Sequence, residues 1–139
     1  MSAGAPAEGL AALALTPLQT TALGRAVATL REFYDPPAIF LFGSAARGAA
    51  TDKSDMDLLV RIARSDLPRQ SRAHAFHEVF AQTRPRFDVA MFTDAEVAHH
   101  LANPRSFLCS VLVSAVPLFL QNPATEPLLL VSHLARRSA

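Results

Sequence analysis

The 139-residue sequence predicts an α/β (α+β) domain in which helices pack on a small mixed β-sheet. Two observations carry that expectation. Short uncharged runs of strand length, such as Ile39 to Phe42 and Leu58 to Val60, recur along the chain. Between them stand segments with apolar residues at helical spacing, opened by capping residues and closed by proline. The resulting order is helix, strand, short helix, strand, helix, strand, helices, short strand.

The first confident start signal is Thr16-Pro17-Leu18-Gln19: a threonine N-cap, proline at the first helical position and glutamine three residues after the cap. A helix follows to about residue 33. Leu18, Ala22, Ala26, Leu30 and Phe33, with Leu23 and Val27 beside them, form its apolar stripe, and Asp35-Pro36-Pro37 ends it. Ile39 to Phe42 is the first strand. It stops at Gly43-Ser44, and the alanine-rich stretch to Ala50 reads as a short helix. A second strand runs to about Ile62. Ser65 or Asp66 then caps a third helix to about Gln82, with Ala73, Phe76, Val79 and Phe80 buried, and Thr83-Arg84-Pro85 breaks it. On the strand that follows, Phe87, Val89 and Met91 face the core, and Arg86, Asp88, Ala90 and Phe92 the other side. Thr93-Asp94-Ala95-Glu96 is a capping box for a helix to about Ala102, and Asn103-Pro104 restarts another ending near Ser114. Val116 to Leu120, with Pro117 inside, reads as an edge strand. The domain thus occupies residues 16–122, after a lead-in at 1–15 and before a tail at 123–139 that is helical if anything.

Residues 39 to 60 concentrate the chemistry. Gly43 lets the backbone pass close to a bulky group, and a helix beginning at Ser44 presents free N–H groups suited to phosphate. After ten intervening residues, 45 to 54, come Asp55-Met56-Asp57 and a strand. Period two puts Asp55 and Asp57 on one face and Met56, Leu58, Val60 and Ile62 on the other. Two carboxylates about 6.7 Å apart at the backbone can converge on cations separated by roughly 3.5–4 Å, the spacing of two-metal phosphoryl-transfer sites. The plainer alternative is a solvated edge strand. Arg47 either adds positive charge to the phosphates or lies on the helix surface. His74 and His77, and the adjacent His99 and His100, have no third ligand nearby and read as solvated or packed histidines.

The string Gly-Ser-Ala-Ala-Arg-Gly, five residues, then Ser-Asp-Met-Asp-Leu-Leu-Val resembles the signature of the nucleotidyltransferase superfamily that includes DNA polymerase beta. In particular it resembles the minimal, stand-alone bacterial and archaeal branch. The resemblance spans roughly residues 20 to 120. It implies a polymerase beta palm-like fold and a third carboxylate on a later strand, which Asp88 supplies. It further implies two Mg2+ ions held by Asp55, Asp57 and Asp88, ATP as substrate with Gly43, Ser44 and Arg47 at its phosphates, and AMP passed to a hydroxyl. Minimal nucleotidyltransferases of this kind resemble antitoxin halves of two-gene modules. The implied partner is a HEPN-domain ribonuclease toxin, adenylylated on a tyrosine. Occlusion of that partner without catalysis, and transfer to a small molecule such as an aminoglycoside, are the competing readings.

Composition narrows the field. Thirteen Lys and Arg against twelve Asp and Glu leave a net charge of +1, so nucleic acid is not expected as a direct substrate. The single cysteine, Cys109, excludes an internal disulfide and a cysteine-based zinc site. The first residues make a poor signal peptide, and the uncharged stretch 107–120, broken by Pro117, is too short to cross a membrane; cytoplasm is the expected location. That stretch reads as core; where the core does not consume them, it and residues 128–134 are the candidate partner-contact surface.

Overall fold

The computed structural model describes residues 13, 15–48, 51 and 54–130. The lead-in before residue 13, Lys53 and the tail from 131 onward lie outside them. Helix α1 spans Pro17–Tyr34, and its capping box is complete: the Thr16 hydroxyl accepts from the Gln19 N–H, and the Gln19 side chain accepts from the Thr16 N–H. The same amide donates to the Thr51 carbonyl at 3.1 Å, so the helix start also holds the loop that leads into Asp55. Asp35, in the left-handed region at φ 46°, ends the helix.

Four strands follow: β1 (Ala38–Phe42), β2 (Met56–Ile62), β3 (Phe87–Thr93) and β4 (Val116–Leu120). Their order in the sheet is β3-β2-β1-β4, so β1 and β2 are central and the proline-bearing β4 is an edge. β1 pairs antiparallel with β2 and with β4, whereas β2 and β3 run parallel. The sheet is therefore mixed.

Both faces are covered. On one, Leu23, Ala26 and Leu30 of α1 and Phe76 of α3 (His74–Val79) pack over Ile39, Leu41, Met56, Leu58, Val60, Val89 and Met91. On the other, Val97 of α4 (Asp94–Leu101) and Leu108 and Leu112 of α5 (Phe107–Leu112) cover Phe40, Leu59 and Phe92. Alternation within β2 thus feeds two cores, and Asp57, Arg61 and Ile62 are left partly exposed.

Several expectations are corrected. Leu18 and Phe33 of the α1 stripe are 65% and 43% exposed, and the helix buries Gln19, Ala22, Leu23, Ala26 and Leu30 instead. The helix expected from Ser65 to Gln82 is instead a 3-10 turn at Arg69–Ser71 followed by α3, with Val79 exposed. Arg72 explains the break, since its guanidinium turns inward to the Leu67 and Met91 carbonyls and the Glu96 carboxylate. This pair holds the Glu96 carboxyl down at about 2. Phe92, read as facing away from the core, is 1% exposed under α4 and α5. The helix expected to restart at Asn103-Pro104 begins only at Phe107, where the Ser106 hydroxyl accepts from the Cys109 N–H. Leu108, Leu112, Leu118, Phe119, Leu120 and Leu128 are buried, in line with the reading of 107–120 as core, and Phe107, Val113 and Leu130 are the large hydrophobic residues exposed there; residues 131–134 of the candidate contact surface lie outside the described residues. Among the described residues no helix is long and apolar enough to cross a membrane.

Candidate active site

The site forms where β1 and β2 meet at one end of the sheet. β1 runs out at Phe42, and Gly43, at φ 77°, turns the chain into the four-residue helix α2 (Gly43–Ala46). That φ lies in the left-handed region, open to glycine without strain. Space demands glycine as well, because a methyl group here would run into the Asp57 carboxylate, whose Cγ would lie 3.2 Å from it. Ala45 and Ala46 are buried beneath the turn, which fixes its position against the sheet, and Ser44 is half-buried.

Asp57 stands at the centre. It pairs with Phe42 across the antiparallel ladder and with Asp88 across the parallel one. Neighbours in register share a sheet face, so the Asp57 and Asp88 side chains project together, and Asp55, just before β2, follows the same alternation. Burial pushes the Asp57 carboxyl above the usual range; the Asp88 and then the Asp55 carboxylates push it further, and Arg47 pulls it back. All three carboxylates and Arg47 therefore share one electrostatic site. Asp55 and Asp88 are exposed and line a cavity of about 500 Å³ with His77, Phe80, Ala81, Arg86 and Phe87.

The fold brings Asp55, Asp57, Asp88, Gly43, Ser44 and Arg47 together at one end of β1, β2 and β3. Two further residues line the cavity. His77, read as solvated or packed, is half-buried with its ring edge-on to Phe76 at 5.6 Å. Arg86 is exposed and lies two residues before Asp88 on the same alternation, where period two places it. No local signal brings His77 to the cavity; the packing of α3 does. His74 is exposed and pairs with Glu78 at 3.5 Å, and His100 packs on Phe92.

Among the described residues no group of three or more His, Cys, Asp or Glu side chains closes tightly enough to hold a metal ion by itself. Bare carboxylates repel, which keeps them apart. The donor chemistry still fits a hard divalent cation: only oxygen ligands converge, and the central one is held in a field that positive charge would relieve.

Gly43→Ala should cost about 1–2 kcal/mol of stability from the left-handed backbone alone. It should also displace the Asp57 carboxylate and lower nucleotidyl transfer by at least roughly tenfold. Denaturant unfolding and turnover of the purified variant check both; wild-type values in each would remove Gly43 from the site.

No curated protein matches the chain. A family model described as the nucleotidyltransferase domain matches residues 24–108, from the middle of α1 to the start of α5 and including every site residue named above. The chain belongs to the nucleotidyltransferase domain family, and nucleotidyl transfer is its chemistry.

Proposed function

We propose that this nucleotidyltransferase takes AMP from ATP and places it on a hydroxyl of a partner protein, a tyrosine of a HEPN-domain ribonuclease toxin, and so acts as that toxin's antitoxin. The observation that carries the catalytic part is the cluster of Asp55, Asp57 and Asp88 around a carboxyl whose pKa is raised by burial and by its neighbours. The protein acceptor rests on the resemblance of the Gly43 to Val60 string to minimal nucleotidyltransferases, and the open cavity beside Asp88 is compatible with it.

In this reading Asp55 and Asp57 would hold two Mg2+ ions, and Asp88 would help to hold the metal. When bound, magnesium neutralises the triphosphate and stabilises charge on the α-phosphate and the departing pyrophosphate. The Gly43-Ser44 turn directs its backbone N–H groups and the Ser44 hydroxyl at the outer phosphates, and Arg47 adds positive charge beside them. The acceptor oxygen bonds to the α-phosphorus as the bond to pyrophosphate breaks. Asp88, at the solvent edge, takes the hydroxyl proton.

Intact-mass spectrometry of the cognate toxin after incubation with this protein, ATP and Mg2+ tests the proposal. The expected result is a mass increase of one or a few AMP units, located on a tyrosine. An unmodified but fully inhibited toxin would favour occlusion, and AMP found on an aminoglycoside instead would favour a small-molecule transferase.

A further inference from the structure

We infer that the cavity lined by His77, Phe80, Arg86 and Asp88 is the acceptor subsite, and that it selects a hydroxyl flanked by a carboxylate. The inference rests on the reading of this protein as a transferase to protein hydroxyls, and adds to it the charge of the segment recognised.

Sheet order supplies the first argument. Gly43 approaches Asp57 from the β1 side, whereas Asp88 and the cavity lie on the β3 side. A phosphoryl displacement needs the attacking and leaving oxygens roughly in line across the phosphorus. With the outer phosphates at Gly43, the acceptor enters over Asp88, and the cavity is the space available to it there.

Charge supplies the second. A cavity with Asp55 and Asp88 in its wall would by itself repel an acidic segment. Arg86 lies in the same wall, yet the ion pairs among the described residues involve Arg61, Arg72 and His74, and not Arg86. A guanidinium close to two carboxylates but bonded to neither keeps its fork of donors available for a bidentate carboxylate. The His77 imidazole likewise makes no hydrogen bond among the described residues and adds an N–H donor to the same cavity.

The floor supplies the third. Phe80 and Phe87 meet edge to face at 5.5 Å, and Phe80 stacks on Phe76 at 4.5 Å. Both floor residues are almost fully buried, so the cavity is preformed rather than opened by the ligand. An acceptor that fits has a hydroxyl for Asp88, a short apolar body for the floor, and an anionic neighbour for Arg86.

The test is NMR titration of the full chain, saturated with Mg2+ and α,β-methylene-ATP, with the peptides acetyl-Glu-Tyr-Glu-amide and acetyl-Gln-Tyr-Gln-amide. The acidic peptide should bind roughly tenfold more tightly and shift the Arg86 side-chain and His77 ring resonances. Arg86→Gln should abolish the preference, Arg86→Lys should restore part of it, and His77→Asn should weaken it. Equal binding of the two peptides, binding of neither, or a preference that survives Arg86→Gln overturns the inference. So does an Arg86 signal that answers only to the nucleotide analogue, since the cavity would then belong to the phosphates. AMP incorporation into the toxin is measured separately. Selective binding without transfer would count against the proposed function alone, and transfer without selectivity against this inference alone.

Discussion

Replacing Asp57 by asparagine is expected to lower nucleotidyl transfer by on the order of a hundredfold or more, while raising the melting temperature of the metal-free protein by about 1–3 °C. Both effects come from one position. Asp57 is the carboxylate against which Gly43 is packed and on which Asp55 and Asp88 act, so losing its charge removes the centre of the site. Asparagine keeps the shape and leaves Leu58, Leu59 and Val60 in place. The stability gain follows from the direction of the pKa shift. The folded-state pKa lies above the ordinary 3.8, so folding becomes less favourable as pH rises from that value through the raised one, where the folded protein loses its proton last. The variant lacks this loss. The two proteins should therefore have equal stability well below pH of about 4 and diverge above it.

Magnesium adds a second signature. A ligand that binds only the folded state raises stability in proportion to RT ln(1 + [L]/Kd), so Mg2+ should stabilise the wild-type protein and act much less on the variant. Thermal unfolding across pH, with and without Mg2+, measures all of this. An Asp57→Asn protein with near wild-type transfer, or with a lower melting temperature at neutral pH, would contradict the site described here. Asp55 and Asp88 are exposed, so their asparagine variants should lose activity without a comparable gain in stability.

What the sequence disclosed was local. The capping boxes at Thr16 and Thr93 each need four consecutive residues, and both form as read. Gly43 is legible because a turn at the end of an apolar strand calls for a residue that tolerates positive φ, and it has φ 77°. Asp55 and Asp57 are legible through period two, and Asp88 through the family resemblance, which implies a third carboxylate on a later strand. Hidden from the sequence was whatever depends on distant partners. The broken helix before α3 follows from Arg72 reaching Glu96, 24 residues away. His77 reaches the cavity because Phe76 and Phe80, on the same helix, are anchored under the sheet edge beside Phe87. The parallel pairing that brings Asp88 beside Asp57 is likewise a property of the assembled sheet.

The least visible of these long-range devices should have the largest effect on stability. At the end of β2 away from Asp57, Arg61 meets Glu126 through two parallel bonds of 2.8 Å and also pairs with Asp94 at the start of α4. Glu126 is 2% exposed and also accepts from the Leu128 N–H, so one carboxylate fastens the 126–130 segment to the sheet. The bond to Glu126 is the main cause that raises the Arg61 pKa, against the opposing effect of burial, so the guanidinium stays charged. Glu126→Ala leaves that charge with Asp94 alone, which is half exposed, and strips the Leu128 N–H of its acceptor. Breaking a buried pair costs about 3–5 kcal/mol; with Asp94 remaining, about 2–3 kcal/mol is expected here. Arg61→Met combined with Glu126→Leu should recover much of the loss, because no charge is then left uncompensated. Transfer per folded molecule should stay near wild type in both variants, in contrast to Asp57→Asn. Denaturant unfolding of Arg61→Met, Glu126→Leu and the double variant closes the cycle, and a Glu126→Ala protein as stable as wild type would show that the pair does not hold the segment.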